Sequence, residues 1–254
     1  MKKKSLNNIL PLGIILALLA LWETVCRVFA IPDFFLPTPS SIARALAGNL
    51  PLLLKHTTAT FYAVVAGLAL AMVVAVALAL TMDRWPLAKR ALYPPLVISQ
   101  AVPIFALAPI ILIWLGVDLK PKIAVVALVC FFPLAINLVE GLEQVNPEAL
   151  DLMQVMQAGP GFIFQSVQLP AVMPYFFSGL KISATYSVMG AIIGEWLGGS
   201  TGLGVYMTRS MYSFKTDHMF AAILIVVVLS LALFKLAGFL AWLFMPWERV
   251  QSKE

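Results

Sequence analysis

The chain has 254 residues, of which 61% are hydrophobic and 11% are charged, and its mean hydropathy is +0.95. A soluble domain carries roughly 25% charged residues, so this composition excludes an ordinary soluble fold and predicts an all-α, polytopic membrane protein. The net charge of +5 suits basic segments at a membrane surface, and no basic stripe suggests a nucleic-acid partner. Cys26 and Cys130 lie in apolar segments, which predicts neither a disulfide nor a reactive thiol.

Apolar segments of sufficient length predict a single transmembrane domain with six spans. These spans cover about residues 8–29, 57–82, 92–116, 123–142, 174–198 and 219–244. An even number of spans places both termini on the same side of the membrane. The three lysines at positions 2–4 favour the cytoplasm for that side.

The first apolar run could instead be a secretory signal peptide, with residues 28–30 resembling a cleavage site. However, the run contains Glu23 and Arg27, whose i,i+4 spacing allows an ion pair within one helix. We therefore interpret it as a membrane span. A short helix capped by Ser40 or Ser41 is expected to follow on the outer surface.

The longest interruption between spans is the loop at about residues 143–171. Asn146 is expected to cap a helix that begins at Pro147, because Asn at the cap and Pro at the first position favour helix initiation. Gly159-Pro160-Gly161 is expected to end this helix. Connections this long are typical of functional segments, so the loop is predicted to bind a partner.

Polar residues and prolines inside the spans are candidates for lining a transport pathway, because proline frees backbone carbonyls that need a partner or a wet cavity. The same prolines also suit a kinked but packed helix. Asn137 either faces a cavity or bonds to a neighbouring helix, and Glu195 either faces the pathway entrance or pairs with Arg209 or a backbone donor. The candidates are Gln100, Pro103, Asn137, Tyr186, Ser187 and Glu195.

The fifth span carries small residues at intervals of three or four positions, or multiples of them, which places them on one helix face. Small faces let helices approach closely in a membrane. The predicted packing residues are Gly179, Ser183, Gly190, Gly194 and Gly198.

Two segments resemble one known family. Residues 151–170, which end in Leu169-Pro170, resemble the cytoplasmic loop of ATP-binding-cassette importer permeases; the alignment places Asp151 at the family's acidic position and Gln157 at its glycine position. Residues 176–182 together with strings within residues 190–209, which include Gly-Glu-Trp-Leu-Gly, resemble the fifth span and following loop of the nitrate, sulfonate, taurine and pyrimidine branch. Within that branch the similarity is greatest to permeases for thiamine precursors, such as hydroxymethylpyrimidine, or riboflavin.

The resemblance implies an inner-membrane permease that imports a small solute and binds an ATPase dimer through a coupling helix. ATP and Mg²⁺ would bind to the ATPase, and no cofactor would bind to this chain. The other implied partners are a periplasmic or lipid-anchored binding protein, a second permease copy and membrane lipid. The implied ATPase-coupling residues are Glu148, Asp151, Leu152, Met153, Met156, Gln157, Gly159, Leu169 and Pro170.

Three alternatives stay open from the sequence. The solute could be a sulfonate, taurine or nitrate rather than a heterocycle. An ion-coupled secondary transporter would need ionisable groups at mid-membrane depth, where this chain is nearly uncharged. A membrane enzyme would need a catalytic or metal-ligating set, and the two histidines, His56 and His218, form none with carboxylates in the spans.

Overall fold

The computed structural model of the chain describes residues 2–247, and for residues 2–9, 11 and 12 it describes the backbone alone. The described part contains helices and no β-strand, which confirms the all-α prediction. In chain order the helices are α1 (Lys2–Val28), α2 (Pro39–Gly48), α3 (Leu50–Arg84), α4 (Pro86–Ser99), α5 (Ile104–Leu115), α6 (Leu119–Glu143), α7 (Pro147–Val155), α8 (Pro160–Ile163), α9 (Leu169–Gly198), α10 (Leu203–Tyr212) and α11 (Thr216–Phe244).

Four helical segments of the described chain are long and apolar enough to cross a membrane. They are α3, α6, the continuous segment Pro160–Gly198 and α11, and the pair α4–α5 adds a fifth if it forms one broken span. Helix α1 covers the first predicted span but is not among these segments. The count of six spans therefore stays a prediction. The side chains of Lys2, Lys3 and Lys4, on which the predicted orientation depends, lie outside the described residues.

The third predicted span, residues 92–116, is not one continuous helix. Helices α4 and α5 meet at an angle of 104°. The break falls just before Pro103, which lacks an N–H group and has extended backbone angles (φ −61°, ψ 123°). The amides of Ala101 and Val102 form short turns with the carbonyls of Ile98 and Ser99 instead of continuing the helix.

Helix α6 packs between α3 and α9 and forms the centre of the domain. Its Cys130 and Leu134 are fully buried, as are Ala184 and Val188 of α9. Ser183 Oγ donates a hydrogen bond to the Cys130 carbonyl at 2.8 Å, which joins the two helices through a buried polar contact. This contact fixes how the two helices are aligned along their length.

The small-residue stripe of α9 faces α6 at most of the predicted positions. A Cβ atom at Gly179 would lie 2.9 Å from the Pro133 carbonyl oxygen, and one at Gly194 would lie 3.0 Å from Lys122 Cα. The backbones therefore approach too closely for larger side chains. Gly190 also faces α6, whereas Gly198 faces Leu112 of α5.

The predicted Glu23–Arg27 ion pair is present within α1 at 2.6 Å, and it lies where α1 contacts α2. Glu23 also accepts hydrogen bonds from the backbone N–H and hydroxyl of Ser40. The prediction that Ser40 or Ser41 caps α2 is wrong, because Thr38 occupies the cap and its hydroxyl accepts from the Ser41 amide at 3.2 Å. The cap lies earlier because Pro39 takes the first helical position.

Two polar contacts lie at opposite ends of the domain. At one end, Lys89 and Glu143 form an ion pair at 2.6 Å, which brings the first part of α4 next to the end of α6. At the other end, the buried Lys122 donates to the Thr201 carbonyl at 2.6 Å and joins the start of α6 to the α9–α10 loop. The first end also carries α7, and we refer to it as the α7 end.

Candidate functional site

Helix α7 begins where the sequence predicts. The Asn146 side chain accepts a hydrogen bond from the Glu148 amide at 2.8 Å, and Pro147 occupies the first helical position. No residue of α7 is buried in this chain. Only its partly buried side, which includes Leu150, packs against the core, and the rest of this nine-residue helix is exposed.

The predicted coupling residues extend along this exposed helix and the turn after it. Leu152 is 58% exposed and Met156 is 67% exposed, which is unusual for large apolar side chains facing water. Glu148 and Asp151 are also exposed, whereas Met153 is half-buried. Exposed acids beside an apolar strip provide both charge and packing surface to a partner.

Helix α7 ends earlier than predicted, at Val155. Gln157 adopts a left-handed conformation with φ +56°, and the amide of Ala158 donates to the Met153 carbonyl at 3.0 Å. This pattern is a Schellman motif, which uses a left-handed residue to close a helix. Gly159 therefore does not end α7 but caps the next helix, α8.

From Pro160 the chain continues as one helical segment to Gly198, whereas the sequence predicts a separate fifth span from residue 174. A π-helical turn at Phe164–Gln168 joins α8 to α9. Leu169 and Pro170 form the first turn of α9, where a proline is tolerated. The predicted Leu-Pro boundary thus lies inside a continuous helix.

Sequence reasoning did not include two exposed apolar residues near α7 among the coupling residues. Val155 is 80% exposed and Phe162 is 59% exposed. Val155 lies three positions after Leu152, and the sequence pattern already places it on the apolar side of α7. Phe162 lies in α8, after the turn, and the sequence pattern of α7 does not extend to it.

A cavity of about 340 Å³ lies beside the break between α4 and α5. Three predicted pathway residues line it, namely Gln100 and Pro103 from the break and Tyr186 from α9. Phe132 and Met189 add an aromatic and a thioether surface that the sequence did not single out. Non-helical backbone at membrane depth is tolerated where it lines a cavity, and this break does so.

The other three predicted pathway residues lie elsewhere. Asn137 donates to the Pro133 carbonyl of its own helix at 2.8 Å, and Ser187 is fully buried and donates to the Ala184 carbonyl at 2.7 Å. Glu195 is 2% exposed. Its carboxylate accepts from Thr60 and from the backbone of Gly204, which matches the backbone-donor alternative rather than the entrance of a pathway. Arg209 instead donates to the Ser200 carbonyl.

The described residues hold no group of three or more His, Cys, Asp or Glu side chains arranged to bind a metal ion. What the described residues present is an exposed helix at the α7 end and a cavity lined by aromatic and amide side chains beside a broken helix.

Residues 67–242 match the family model described as "Binding-protein-dependent transport system inner membrane component". The chain belongs to this family. It is the permease subunit of an ABC transporter and a multi-pass membrane protein. Membership in a binding-protein-dependent system implies a substrate-binding protein and an ATPase as partner subunits.

Individual relatives place the permease in the predicted branch. It is 35% identical to the formylaminopyrimidine transport permease protein ThiX of Halalkalibacterium halodurans, over 98% of this chain and 100% of that one. It is 32% identical to the riboflavin transport system permease protein RibX of Chloroflexus aurantiacus, over 94% and 90%. The taurine transport system permease protein TauC of Escherichia coli is 26% identical, over 88% and 84%.

Two solved structures share the fold of the permease. An amino acid ABC transporter with histidines matches with a TM-score of 0.61 and 13% identity, over 79% of this chain and 95% of that one. The MetNI methionine ABC transporter in an inward-facing conformation matches with a TM-score of 0.59 and 18% identity, over 76% and 94%. At these identities the likeness concerns the fold alone.

Proposed function

We propose that this permease carries a small planar nitrogen heterocycle, of the thiamine-pyrimidine or riboflavin type, into the cytoplasm. ATP hydrolysis on a separate subunit supplies the energy. The similarity to ThiX and RibX, named for pyrimidine and riboflavin transport, supports this solute class. Taurine, sulfonates and nitrate are the alternative solutes, because more distant relatives carry those names.

The observation that carries the proposal is the cavity beside the α4–α5 break. Tyr186 and Phe132 offer aromatic rings to it, and Gln100 offers an amide that can both donate and accept hydrogen bonds. None of its lining residues in the described chain is charged. A flat, neutral heterocycle suits such a surface, whereas nitrate or a sulfonate would favour a cationic group.

The cavity is open, and two of its lining side chains are nearly half exposed, Tyr186 at 46% and Met189 at 47%. A second copy of the permease would complete the pathway by covering this face. The proposed assembly is therefore a homodimer with the pathway between the two copies. Membrane lipid would cover the remaining apolar surface.

Helix α7 is the proposed contact with the ATPase. Its apolar strip, Leu152, Val155 and Met156, offers adaptable packing for a groove, and Glu148 and Asp151 offer charge. In this arrangement the α7 end and both termini are cytoplasmic. The substrate-binding protein, soluble or lipid-anchored, then meets the end that carries Thr201.

The first test is co-purification of the tagged chain from its native membrane, with bound proteins identified by mass. We expect an ATPase and a binding protein in the eluate. Uptake into cells is then measured with labelled hydroxymethylpyrimidine, in competition with riboflavin, taurine and nitrate. A chain that purifies alone contradicts the importer assembly, and competition by taurine or nitrate alone contradicts the heterocycle.

A further inference from the structure

Helix α10 begins inside a cluster of buried side chains contributed by other helices. The first amides of a helix have no partner within it, and here three consecutive ones are bound by side chains of two other helices, α3 and α9. The amides donate as follows: Gly202 to His56 Nδ1 at 3.0 Å, Leu203 to Thr60 Oγ1 at 2.8 Å, and Gly204 to Glu195 Oε2 at 2.7 Å.

Glu195 and Thr60 form the centre of this cluster. The Thr60 hydroxyl donates to Glu195 Oε1 at 2.8 Å while accepting from the Leu203 amide, so α3, α9 and α10 meet in one network. Thr60 is fully buried and Glu195 is 2% exposed. Buried hydrogen bonds to a carboxylate are stronger than neutral ones and costly to break.

The backbone approaches the carboxylate so closely that only glycine fits. Gly202 has φ +134°, and a Cβ atom there would overlap the Glu195 carboxylate. Thr201, the residue before Gly202, is bound by a fourth helix, α6. The ammonium of the buried Lys122 donates to the Thr201 carbonyl at 2.6 Å. The start of α10 is therefore held by α3, α6 and α9 together.

We propose that Glu195 is a positioning residue that, together with Thr60, fixes α10 to α9, so that the two move as one body. Glu195 lies near the end of the continuous helical segment Pro160–Gly198, whose other end follows α7. At 1.5 Å per residue, this segment is about 60 Å long. A displacement at α7 would then reach α10 on the opposite surface.

Hydrogen-bond geometry, rather than charge, does the positioning. A glutamine at position 195 can accept from the Gly204 amide and donate to the Thr60 hydroxyl. The Thr60 hydroxyl can then donate to the His56 carbonyl, which lies 3.2 Å away. Glu195→Gln therefore keeps both hydrogen bonds that Glu195 makes, whereas Glu195→Ala leaves the Gly204 amide buried without an acceptor.

The test measures the distance between spin labels at two exposed positions, Ile182 of α9 and Met211 of α10, each replaced by cysteine. The native Cys26 and Cys130 are replaced by alanine, and the full chain is studied in lipid vesicles. We expect a narrow distance distribution in the wild-type background and in Glu195→Gln, and a broad or shifted one in Glu195→Ala. A narrow distribution in Glu195→Ala overturns the proposal, and so does a broad one in Glu195→Gln.

A second pair of variants covers the case in which Glu195→Ala does not fold. Thr60→Val keeps the shape of the side chain but removes the hydroxyl, and it should broaden the distribution, whereas Thr60→Ser keeps the hydroxyl and should not. Equal distributions in Thr60→Val and Thr60→Ser overturn the role of Thr60 and with it the proposal.

The consequence for transport rests on the proposed function and has its own readout. Uptake of labelled hydroxymethylpyrimidine should fall about tenfold in Thr60→Val at equal membrane abundance and stay close to wild type in Thr60→Ser. Equal uptake in the two variants overturns the link between α10 and transport. If the wild-type chain takes up no pyrimidine, the proposed solute is wrong, and the spin-label distances still decide the proposal.

Discussion

The amide of Ala158 donates to the carbonyl of Met153 at 3.0 Å, and this bond closes α7 around a residue in the left-handed conformation. That residue is Gln157, which the sequence alignment places where the permease loop carries glycine. Glycine adopts this conformation without the steric cost that a side chain brings. The left-handed backbone at Gln157 thus gives a physical reason why a glycine would suit this position, although this chain carries a glutamine there.

Replacing Gln157 by glycine should stabilise the end of α7 by about 1 kcal/mol, because the left-handed conformation no longer carries a steric penalty. Hydrogen–deuterium exchange of the peptide that covers residues 146–158 measures this as slower exchange. Gln154→Gly is the matched control, since it lies inside the exposed helix and should speed exchange by a similar free energy. Faster exchange in Gln157→Gly would contradict the interpretation.

Reversing the charge of both Glu148 and Asp151 to lysine should reduce co-purification of the ATPase about tenfold or more, because like charges at an interface oppose association. Both side chains are exposed on α7. Glu140→Lys is the control, since Glu140 is an exposed acid on α6 rather than on α7. Unchanged ATPase recovery in the double variant would refute a role for these acids, as would an equal loss in the control.

Removing the aromatic ring of Tyr186 should raise the solute concentration for half-maximal uptake about threefold to tenfold, because ring stacking contributes about 0.5–1.5 kcal/mol. The variant is Tyr186→Leu, measured with labelled hydroxymethylpyrimidine. Tyr62→Leu is the control, because Tyr62 is a 69% exposed tyrosine of α3 that does not line the cavity. Equal effects of the two substitutions would rule out a specific contact at Tyr186.

Adding a methyl group at Gly179 should destabilise the α6–α9 contact by about 1–3 kcal/mol, as overpacking does in dense cores. The Cβ of Gly179→Ala would lie 2.9 Å from the Pro133 carbonyl oxygen, a backbone atom that cannot move away easily. Unfolding in mixed micelles measures the change. Gly161→Ala in α8 meets no atom within 4 Å, so it should not lower the unfolding free energy and should raise it by up to about 1 kcal/mol, because alanine favours the helix. A Gly179→Ala variant as stable as this control would disprove close packing there.

Local sequence signals predicted local structure well. The Asn146-Pro147 start of α7 and the Glu23–Arg27 pair depend on contacts between residues a few positions apart, and both are present. The regular spacing of small residues similarly identified the face of α9 that approaches α6. The first two features are determined by residues close in sequence, whereas the spacing of the small residues indicates a closely packed face without identifying the helix that packs on it.

Features that depend on long-range packing were not predictable in the same way. The prolines around residue 103 indicated a disturbance, but the angle between α4 and α5 is set by the helices that pack around them. A polar residue in a span also does not reveal which way it faces. Ser187 and Tyr186 are neighbours in sequence, yet one is fully buried and the other lines the cavity.

The π-helical turn at Phe164–Gln168 lies between two parts of one continuous helical segment. A π turn contains one residue more than the corresponding α-helical turn, and each residue corresponds to about 100° of rotation. Deleting one residue there would convert the wide turn to an α-helical one and leave the helix faces before and after it in nearly the same relative orientation. Deleting one residue from the regular helix of α9 would instead rotate everything before it, including Phe162 and α7, by about 100°. The π turn is therefore the place in this helix where a change of length by one residue disturbs the direction of α7 least.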